Sequence, residues 1–152
     1  MKKKIAILGS TGSIGKLLIK IIEKDKKNFD IILLTANKNY QKLLNQAVMF
    51  NVKNLIIKDK KNFKILTKKT KNLDIRVFNN FKNFENIFKK KIDYVMSSIV
   101  GLDGLLPTLK IIKFTKNIAI ANKESIICGW NLIKKELKKN KTEFIPVDSE
   151  HF

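Results

Sequence analysis

The sequence contains very few of the side chains on which several common kinds of site depend. Cysteine and histidine occur once each among the 152 residues, as Cys128 and His151. A single cysteine cannot form an intramolecular disulfide. A single histidine cannot complete a zinc site with it, and a Ser-His-Asp triad within one copy would have to use His151. The composition therefore excludes a disulfide-stabilised scaffold and a zinc site built from cysteine and histidine.

Long hydrophobic runs are also missing from the sequence. No segment approaches the roughly 20 apolar residues that a membrane-spanning helix needs. The apolar run after the basic start, Met1-Lys2-Lys3-Lys4, is interrupted at Gly9 and is too short for a secretory signal peptide. We therefore expect a cytoplasmic protein without a membrane partner.

Arginine and acidic residues are scarce beside lysine. Asp and Glu number 13 against 32 Lys and Arg, the formal net charge is +19, and Arg76 is the only arginine. Proteins that read nucleic acids usually rely on arginine for bidentate contacts. Since Asn, Ile and Phe are abundant as well, we interpret the lysines as the mark of an AT-rich genome on solvated surfaces. We expect no specific nucleic-acid partner, and a Lys-rich nucleic-acid-binding module stays an alternative.

Three of the six glycines fall in one short motif, Gly9-Ser10-Thr11-Gly12-Ser13-Ile14-Gly15. The apolar run 5–8 precedes it and apolar residues at helical spacing follow it, which predicts a strand, a turn and a helix. Such a turn lets a pyrophosphate approach bare backbone N–H groups at the positive end of a helix dipole. The spacing is G-x-x-G-x-x-G rather than the commoner G-x-G-x-x-G, and the alternative is a glycine-rich turn without a ligand.

The remainder of the chain alternates apolar runs with amphipathic segments. Further strands are predicted at 31–36, 54–57, 74–78, 93–100, 118–121 and 143–147. Helices are predicted around 40–48, 60–71, 81–88 and 126–137, and after 101–104 with Pro107 in the first turn. This alternation predicts an α/β fold with a doubly wound, Rossmann-like, mostly parallel sheet and helices on both faces, in one domain over residues 1–152.

Polar clusters lie at the ends of five predicted strands. In an open α/β sheet, ligands bind beyond the carboxyl ends of the strands, so the clusters are candidates for a single binding site. The clusters are 10–13, 37–39, 97–98, 122–125 and 148–151.

The cluster after the second strand bears on the choice of cofactor. NAD sites place a carboxylate there for the ribose 2′-hydroxyl. Asp30 lies at the opposite end of this strand, and the residues at the correct end are Asn37, Lys38 and Asn39. A cation and two amides suit a 2′-phosphate, which favours NADP. The alternative is that Lys38 is one more surface lysine.

The last cluster has the composition of a metal site. Asp148 and Glu150 are two residues apart, so in an extended chain their side chains project to the same side, with Ser149 between them. Two carboxylates can hold Mg²⁺ or Mn²⁺ beside a phosphorylated substrate. Lys123, at another strand end, can hydrogen-bond a substrate oxygen or move a proton. An exposed acidic turn and a solvated lysine are the alternatives.

Taken together, these segments resemble the 1-deoxy-D-xylulose 5-phosphate reductoisomerase family. They follow the family's order along the whole chain, and the Asn-Lys-Glu-Ser and Val-Asp-Ser-Glu-His segments are the most specific. The matching segments are 9–15, 36–39, 99–101 with 104–108, 121–125 and 146–151.

The resemblance implies a reaction and a set of residue roles. Family members isomerise 1-deoxy-D-xylulose 5-phosphate and reduce the intermediate with NADPH and Mg²⁺ or Mn²⁺, giving 2-C-methyl-D-erythritol 4-phosphate for isoprenoid synthesis. The implied NADPH contacts are Thr11, Gly12, Ser13, Ile14, Asn37, Lys38, Asn39, Asn122 and Glu124. The implied catalytic residues are Lys123 and Glu150, the implied substrate contacts are Lys123, Ser149 and Glu150, and the implied metal ligands are Asp148 and Glu150.

The chain departs from the family pattern in two respects. Asn37 occupies a position that is often glycine in the family. The chain is also much shorter than family members, which are expected to be homodimers at full length. We therefore expect the NADPH-binding part, a fragment or truncated product that binds NADPH but turns over no substrate alone.

Another NADP-dependent Rossmann reductase, such as a semialdehyde dehydrogenase, is the alternative within the enzymes. That class uses a catalytic cysteine. The helical pattern around Ile126, Trp130, Ile133 and Leu137 predicts that Cys128 lies inside an apolar helical face, which is a poor place for a nucleophile.

Overall fold

The computed structural model describes residues 1–147, which form one seven-stranded sheet with helices around it. The strands are β1 Lys3–Leu8, β2 Phe29–Ala36, β3 Asn54–Ile57, β4 Arg76–Phe78, β5 Ile92–Ser97, β6 Thr115–Ile120 and β7 Glu143–Pro146. The α-helices are α1 Ser13–Glu23, α2 Tyr40–Phe50, α3 Lys60–Lys69, α4 Phe84–Ile87, α5 Leu105–Ile111 and α6 Lys123–Asn140. Short 3₁₀ turns precede β2, α5 and β6.

The order of the strands creates a crevice in the middle of the sheet. The order is β4-β3-β2-β1-β5-β6-β7, and every neighbouring pair is parallel. The chain moves outward from β1 to β4 and then returns to the other side of β1 with β5. At such a reversal the loops after the two central strands diverge, which opens a binding crevice at their carboxyl ends. The predicted doubly wound parallel fold is confirmed.

Helices cover both faces of the sheet, as predicted. Alternate residues of β1 point to opposite sides, so Ile5 and Ile7 belong to one buried cluster while Ala6 and Leu8 belong to the other. The first cluster includes buried side chains from α1, α2 and α3, and the second includes those from α4, α5 and α6. These four residues of β1 are all buried, which fits a central strand of a parallel sheet.

Among the elements that are shorter than the sequence predicts, β5 and α4 differ most from the predicted bounds. β5 ends at Ser97 rather than Val100. The backbone N–H of Ser98 donates to the Leu8 carbonyl as the last bond between β5 and β1, and the chain then turns, with Gly101 at φ +76°. The aromatic segment 81–88 contains a single helical turn, α4. Its rings instead form a buried aromatic cluster, in which Phe84 lies 6.1 Å from Phe114 between ring centroids. The side chains of Phe84, Ile87 and Phe88 are buried in the core.

The prediction for Cys128 is wrong, since this side chain is exposed on α6. The buried stripe of α6 is Ser125, Gly129, Ile133 and Leu137. Cys128 directly precedes Gly129 of that stripe, and a step of one residue rotates its side chain by about 100° around the helix, toward solvent. The side chain of Trp130 is also partly exposed and lies against Phe144 of β7.

At the amino ends of the strands, opposite the crevice, polar contacts connect β5 to its neighbours β1 and β6. Asp93 at the start of β5 accepts the backbone N–H of Lys4 at 2.8 Å and the ammonium of Lys116 at 2.9 Å. These two donors hold the pKa of the Asp93 carboxyl below its ordinary value.

Throughout residues 1–147, the helices are too short or too polar to cross a membrane.

Candidate functional site

A cleft of about 580 Å³ lies at the carboxyl edge of the sheet, where the strand order reverses. Loops that follow β1, β2, β3, β4 and β5 contribute to its walls, together with the start of α5. The described lining residues include Gly9, Thr11, Gly12, Thr35, Asn37, Lys58, Phe81, Ser98, Val100, Leu102, Asp103 and Leu106. Four of the five predicted polar clusters therefore begin at one edge of the sheet, and the cleft takes residues from three of them.

The glycine-rich turn after β1 is built by close backbone approaches. Gly9 has φ +82°, and a Cβ there would lie 2.9 Å from the carbonyl oxygen of Ser98. A Cβ on Gly15 would lie 2.6 Å from Cα of Ser10, and closer still to the carbonyl oxygen of Gly9. Gly12 is different, because a Cβ there meets the Gly9 carbonyl oxygen at an ordinary 3.5 Å. Gly9 and Gly15 thus let the turn pack, whereas Gly12 leaves the approach to the helix open.

The N-terminus of α1 differs from that of every other described helix of eight or more residues. Asn39, Asp59 and Asn122 cap α2, α3 and α6 by accepting a backbone N–H of the first turn. The N-cap residue of α1 is Gly12, and within residues 1–147 no side chain caps this helix. First-turn N–H groups have no partner inside a helix, so here they remain available to an anion. These donors lie beside Thr11 and Gly12 in the cleft wall.

A buried polar network holds the glycine-rich turn against β2 and α2. The Ser10 hydroxyl donates to the side-chain oxygen of Gln46 at 2.7 Å, and the Gln46 amide donates back to the Ser10 carbonyl at 3.0 Å. The backbone N–H of Ser10 donates to the Thr35 carbonyl, and that of Gly9 donates to the Thr35 hydroxyl, both at 2.9 Å. β2 and α2 therefore hold the turn in one position. The sequence did not reveal Gln46, although its place beside Leu43 and Ala47 on the buried stripe of α2 was a usable signal.

We expect Gln46→Leu to lower the free energy of unfolding by about 1–3 kcal/mol, because it leaves buried polar groups of Ser10 without their partner. Urea unfolding at equilibrium measures the change. The double variant Ser10→Ala with Gln46→Leu should cost less than the sum of the two single variants, since their side chains interact directly. Additive costs would contradict the reciprocal pair.

Both hydroxyls of the predicted Ser97-Ser98 cluster form hydrogen bonds within the protein. The Ser98 hydroxyl donates to the Leu8 carbonyl at 2.8 Å, which joins β5 to β1 at the crevice. The Ser97 hydroxyl lies 2.6 Å from the hydroxyl of Thr108, which donates to the Gly104 carbonyl. Both serines are buried, and of the two only Ser98 lines the cleft in the described part of the chain.

Of the three predicted residues after β2, one contributes to the described lining of the cleft. Asn37 lines the cleft. Asn39 uses its side-chain oxygen to cap α2, accepting the Lys42 N–H at 3.0 Å, so its amide NH₂ is the part left for a ligand. Lys38 is exposed and lies outside the described cleft lining.

Asn122 has a structural task at the start of α6. Its side-chain oxygen accepts the Ser125 N–H at 2.9 Å, and its amide donates to the carbonyls of Ile99 and Gly101. These bonds tie the loop after β5 to the N-terminus of α6. Lys123 and Glu124 follow in the first turn of the helix, with exposed side chains.

The remaining predicted residues lie outside the described part of the chain. They are Asp148, Ser149, Glu150 and His151. Within residues 1–147, no group of three or more His, Cys, Asp or Glu side chains is arranged to hold a metal.

Comparison with known proteins gives a consistent result. The sequence pattern of the family described as 1-deoxy-D-xylulose 5-phosphate reductoisomerase matches residues 5–129. The protein of that name from Pelagibacter ubique strain HTCC1062 is 66% identical over 152 residues, which is 99% of this chain and 39% of that protein.

Two solved structures have the same arrangement of elements. The reductoisomerase of Zymomonas mobilis in complex with NADPH has a TM-score of 0.89 at 31% identity, over 99% of this chain and 40% of that one. A reductoisomerase in complex with NADPH, fosmidomycin and magnesium has a TM-score of 0.88 at 33% identity, over 98% of this chain and 37% of that one. The chain thus spans about two fifths of the length of these relatives.

Proposed function

The chain belongs to the 1-deoxy-D-xylulose 5-phosphate reductoisomerase family, and from that membership we propose that it binds NADPH for the reduction of this sugar phosphate. The product is 2-C-methyl-D-erythritol 4-phosphate. The observation that carries the proposal is the N-terminus of α1, which no side chain of residues 1–147 caps and which opens into the cleft beside the glycine-rich turn.

The pyrophosphate of NADPH occupies this helix N-terminus in our proposal. Thr11, Gly12, Ser13 and Ile14 form the turn and the start of α1, and the backbone N–H groups of the first turn, those of Ser13, Ile14 and Gly15, are the nearest donors. A dianionic group there also gains from the positive end of the helix dipole. A side-chain cap such as those of α2, α3 and α6 would occupy one of these donors, and α1 has none within the described residues.

The two ends of the dinucleotide lie on opposite sides of the turn in this proposal. Adenosine extends over the ends of β2 and β3, where Asn37, Lys38 and Asn39 are available to the 2′-phosphate. The nicotinamide ring extends toward the loop after β5, where exposed Val100, Leu102 and Leu106 supply an apolar wall. NADPH supplies the hydride, and the walls of the cleft position its ring.

Roles beyond NADPH binding are part of the same proposal. Lys123 and Glu124 lie at the carboxyl edge of the sheet, which places them for contacts with the substrate and the cofactor, respectively. The assignment of Asp148, Ser149 and Glu150 to a Mg²⁺ or Mn²⁺ site and its substrate rests on the sequence motif, and a related structure that contains magnesium supports it. We also propose a cytoplasmic location and, for the full-length enzyme, a homodimer.

Nucleotide titration of the 152-residue chain tests the proposal. We expect saturable binding of NADPH, stronger than that of NADH, with Lys38→Glu weakening or reversing this preference. One charge-assisted contact to a phosphate contributes about 1.5–3 kcal/mol, or about one to two decades in affinity. Fluorescence of the reduced nicotinamide reports both titrations.

The same titration distinguishes the alternative of a Lys-rich nucleic-acid-binding module. Non-specific binding of polyanions decreases steeply with salt, because it rests on counterion release. A pocket that uses backbone donors retains much of its affinity for NADPH as salt increases. Equal affinity for NADPH and NADH in the wild type would remove the basis for assigning Lys38 to the 2′-phosphate, and failure to bind either nucleotide would refute the proposed function.

A further inference from the structure

Lys58 occupies a position in the cleft that the sequence did not single out. It is the first residue after β3, and its N–H donates at 3.1 Å to the carbonyl of Ala36, the last residue of β2. The next N–H, that of Asp59, donates to the Asn37 carbonyl at 2.9 Å. These bonds extend the pairing of β2 and β3 past their ends. Lys58 therefore lies one strand spacing, about 4.8 Å, from the turn that begins at Asn37.

The backbone at Lys58 is fixed on its other side as well. The side-chain amide of Asn79, which follows β4, donates to the carbonyls of Ile57 and Lys58 at 2.8 and 2.9 Å. Bonds from both neighbouring strands thus determine where the lysine side chain begins. A cation on a fixed backbone loses less conformational freedom on binding a ligand than a cation on a mobile loop.

The side chain of Lys58 is held over an aromatic ring. Its ammonium lies 5.6 Å from the centroid of Phe81, and both residues line the cleft. This is the distance range of a cation–π interaction. The ring keeps the ammonium at the adenosine end of the cleft. Among the lining residues that the structure describes, Lys58 carries the only positive charge and Asp103, after β5, the only negative one.

We propose that Lys58 is a specificity-determining residue that binds the 2′-phosphate of NADPH, held in position by Phe81. This inference rests on the proposed function, because it assigns a further ligand to the same cofactor. Lys38 reaches the phosphate from the exposed side of the turn after β2, whereas Lys58 reaches it from within the cleft. The two lysines then enclose one phosphate, and the site needs no carboxylate at the end of β2.

The experiment compares Lys58→Ala with the wild type in titrations with NADPH and with NADH. We expect Lys58→Ala to lower the affinity for NADPH by about tenfold or more, the loss of one charge-assisted contact, and to change that for NADH by less than about threefold. Lys58→Arg should restore part of the preference. Lys64→Ala is the matched control, because Lys64 is an exposed lysine of α3 outside the cleft lining and carries the same change in net charge.

Adenosine 2′,5′-bisphosphate and AMP, used as competitors, isolate the phosphate itself. Lys58→Ala should weaken the bisphosphate and leave AMP unchanged. Phe81→Leu should weaken NADPH more than NADH if the ring positions the lysine, and both equally if adenine stacks on the ring. The second result would overturn the role of Phe81.

Equal losses for NADPH and NADH in Lys58→Ala, or no loss for either, would overturn the assignment of Lys58 while the proposed function stands. A wild-type chain that binds neither nucleotide would refute both. Thermal unfolding of each variant confirms that it is folded, which we expect because the side chain of Lys58 is exposed.

Discussion

Gly15→Ala is expected to lower the free energy of unfolding by about 3 kcal/mol or more, and to abolish NADPH binding. The added Cβ would lie 2.6 Å from Cα and 2.8 Å from the carbonyl carbon of Ser10. Both are backbone atoms in a turn that Thr35 and Gln46 hold in place. Neither can move aside as the end of a flexible side chain can, so the first turn of α1 must separate from the turn.

Urea unfolding measures the first effect, and titration with NADPH measures the second. The matched control is Gly12→Ala in the same turn, where the Cβ meets a single atom, the Gly9 carbonyl oxygen, at 3.5 Å. We expect this control to cost about 1 kcal/mol or less, the usual penalty for alanine at an N-cap. If Gly15→Ala were as stable as Gly12→Ala, the close packing of α1 on the turn would be wrong.

The sheet and the glycine-rich turn could be predicted because their signals are local. The four consecutive apolar residues before Gly9 predict a strand that is buried on both faces of a sheet. β1 is the central strand of such a sheet. The apolar residues at helical spacing after Gly12 indicate α1, in which Ile19 and Ile22 are buried while Leu17 and Ile21 are exposed. Neither element depends on contacts between residues that are far apart in the sequence, so a single sequence is sufficient to predict both.

The partners of the polar side chains could not be predicted, since they depend on contacts between distant parts of the chain. Ser10 and Gln46 are 36 residues apart, and Ser98 and Leu8 are 90 apart. A serine at a strand end has the same sequence signature whether its hydroxyl faces a ligand or a neighbouring carbonyl. Which of the two roles a side chain takes depends on the packing of the folded chain. The side chains of Ser98 and Asn122 form hydrogen bonds that hold the walls of the cleft.

Lys58 shows that the role of a charged side chain is equally hard to predict from the sequence. In a chain with a formal net charge of +19, one more lysine after a strand carries no information. Only the sheet order brings the end of β3 beside that of β2, and only the packing after β4 puts Phe81 under the ammonium. Lys38, which the sequence did single out, lies outside the described cleft lining. The titrations of the Lys38 and Lys58 variants will therefore show how much each lysine contributes to the preference for NADPH.

The N-terminus of α1 allows a test in which stability and binding respond in opposite ways. Gly12→Asp is expected to leave the free energy of unfolding unchanged, or to raise it by up to about 1 kcal/mol, while lowering the affinity for NADPH at least about 100-fold. Gly12 has the extended conformation of an N-cap residue, with φ −78° and ψ 179°, and a Cβ has room there. The new carboxylate can accept the N–H of Gly15, as Asp59 accepts that of Asn62 in α3.

The loss of affinity follows because this carboxylate takes the place of the pyrophosphate. It occupies a donor that the phosphate needs, and its negative charge repels the ligand at the same end of the helix dipole. Gly12→Asn separates the two causes, since its amide can cap the helix without the charge and should lose less affinity than Gly12→Asp. Gly12→Ala controls for the added Cβ. Urea unfolding and NADPH titration of these variants complete the test, and full NADPH affinity in a folded Gly12→Asp variant would show that the phosphates bind elsewhere.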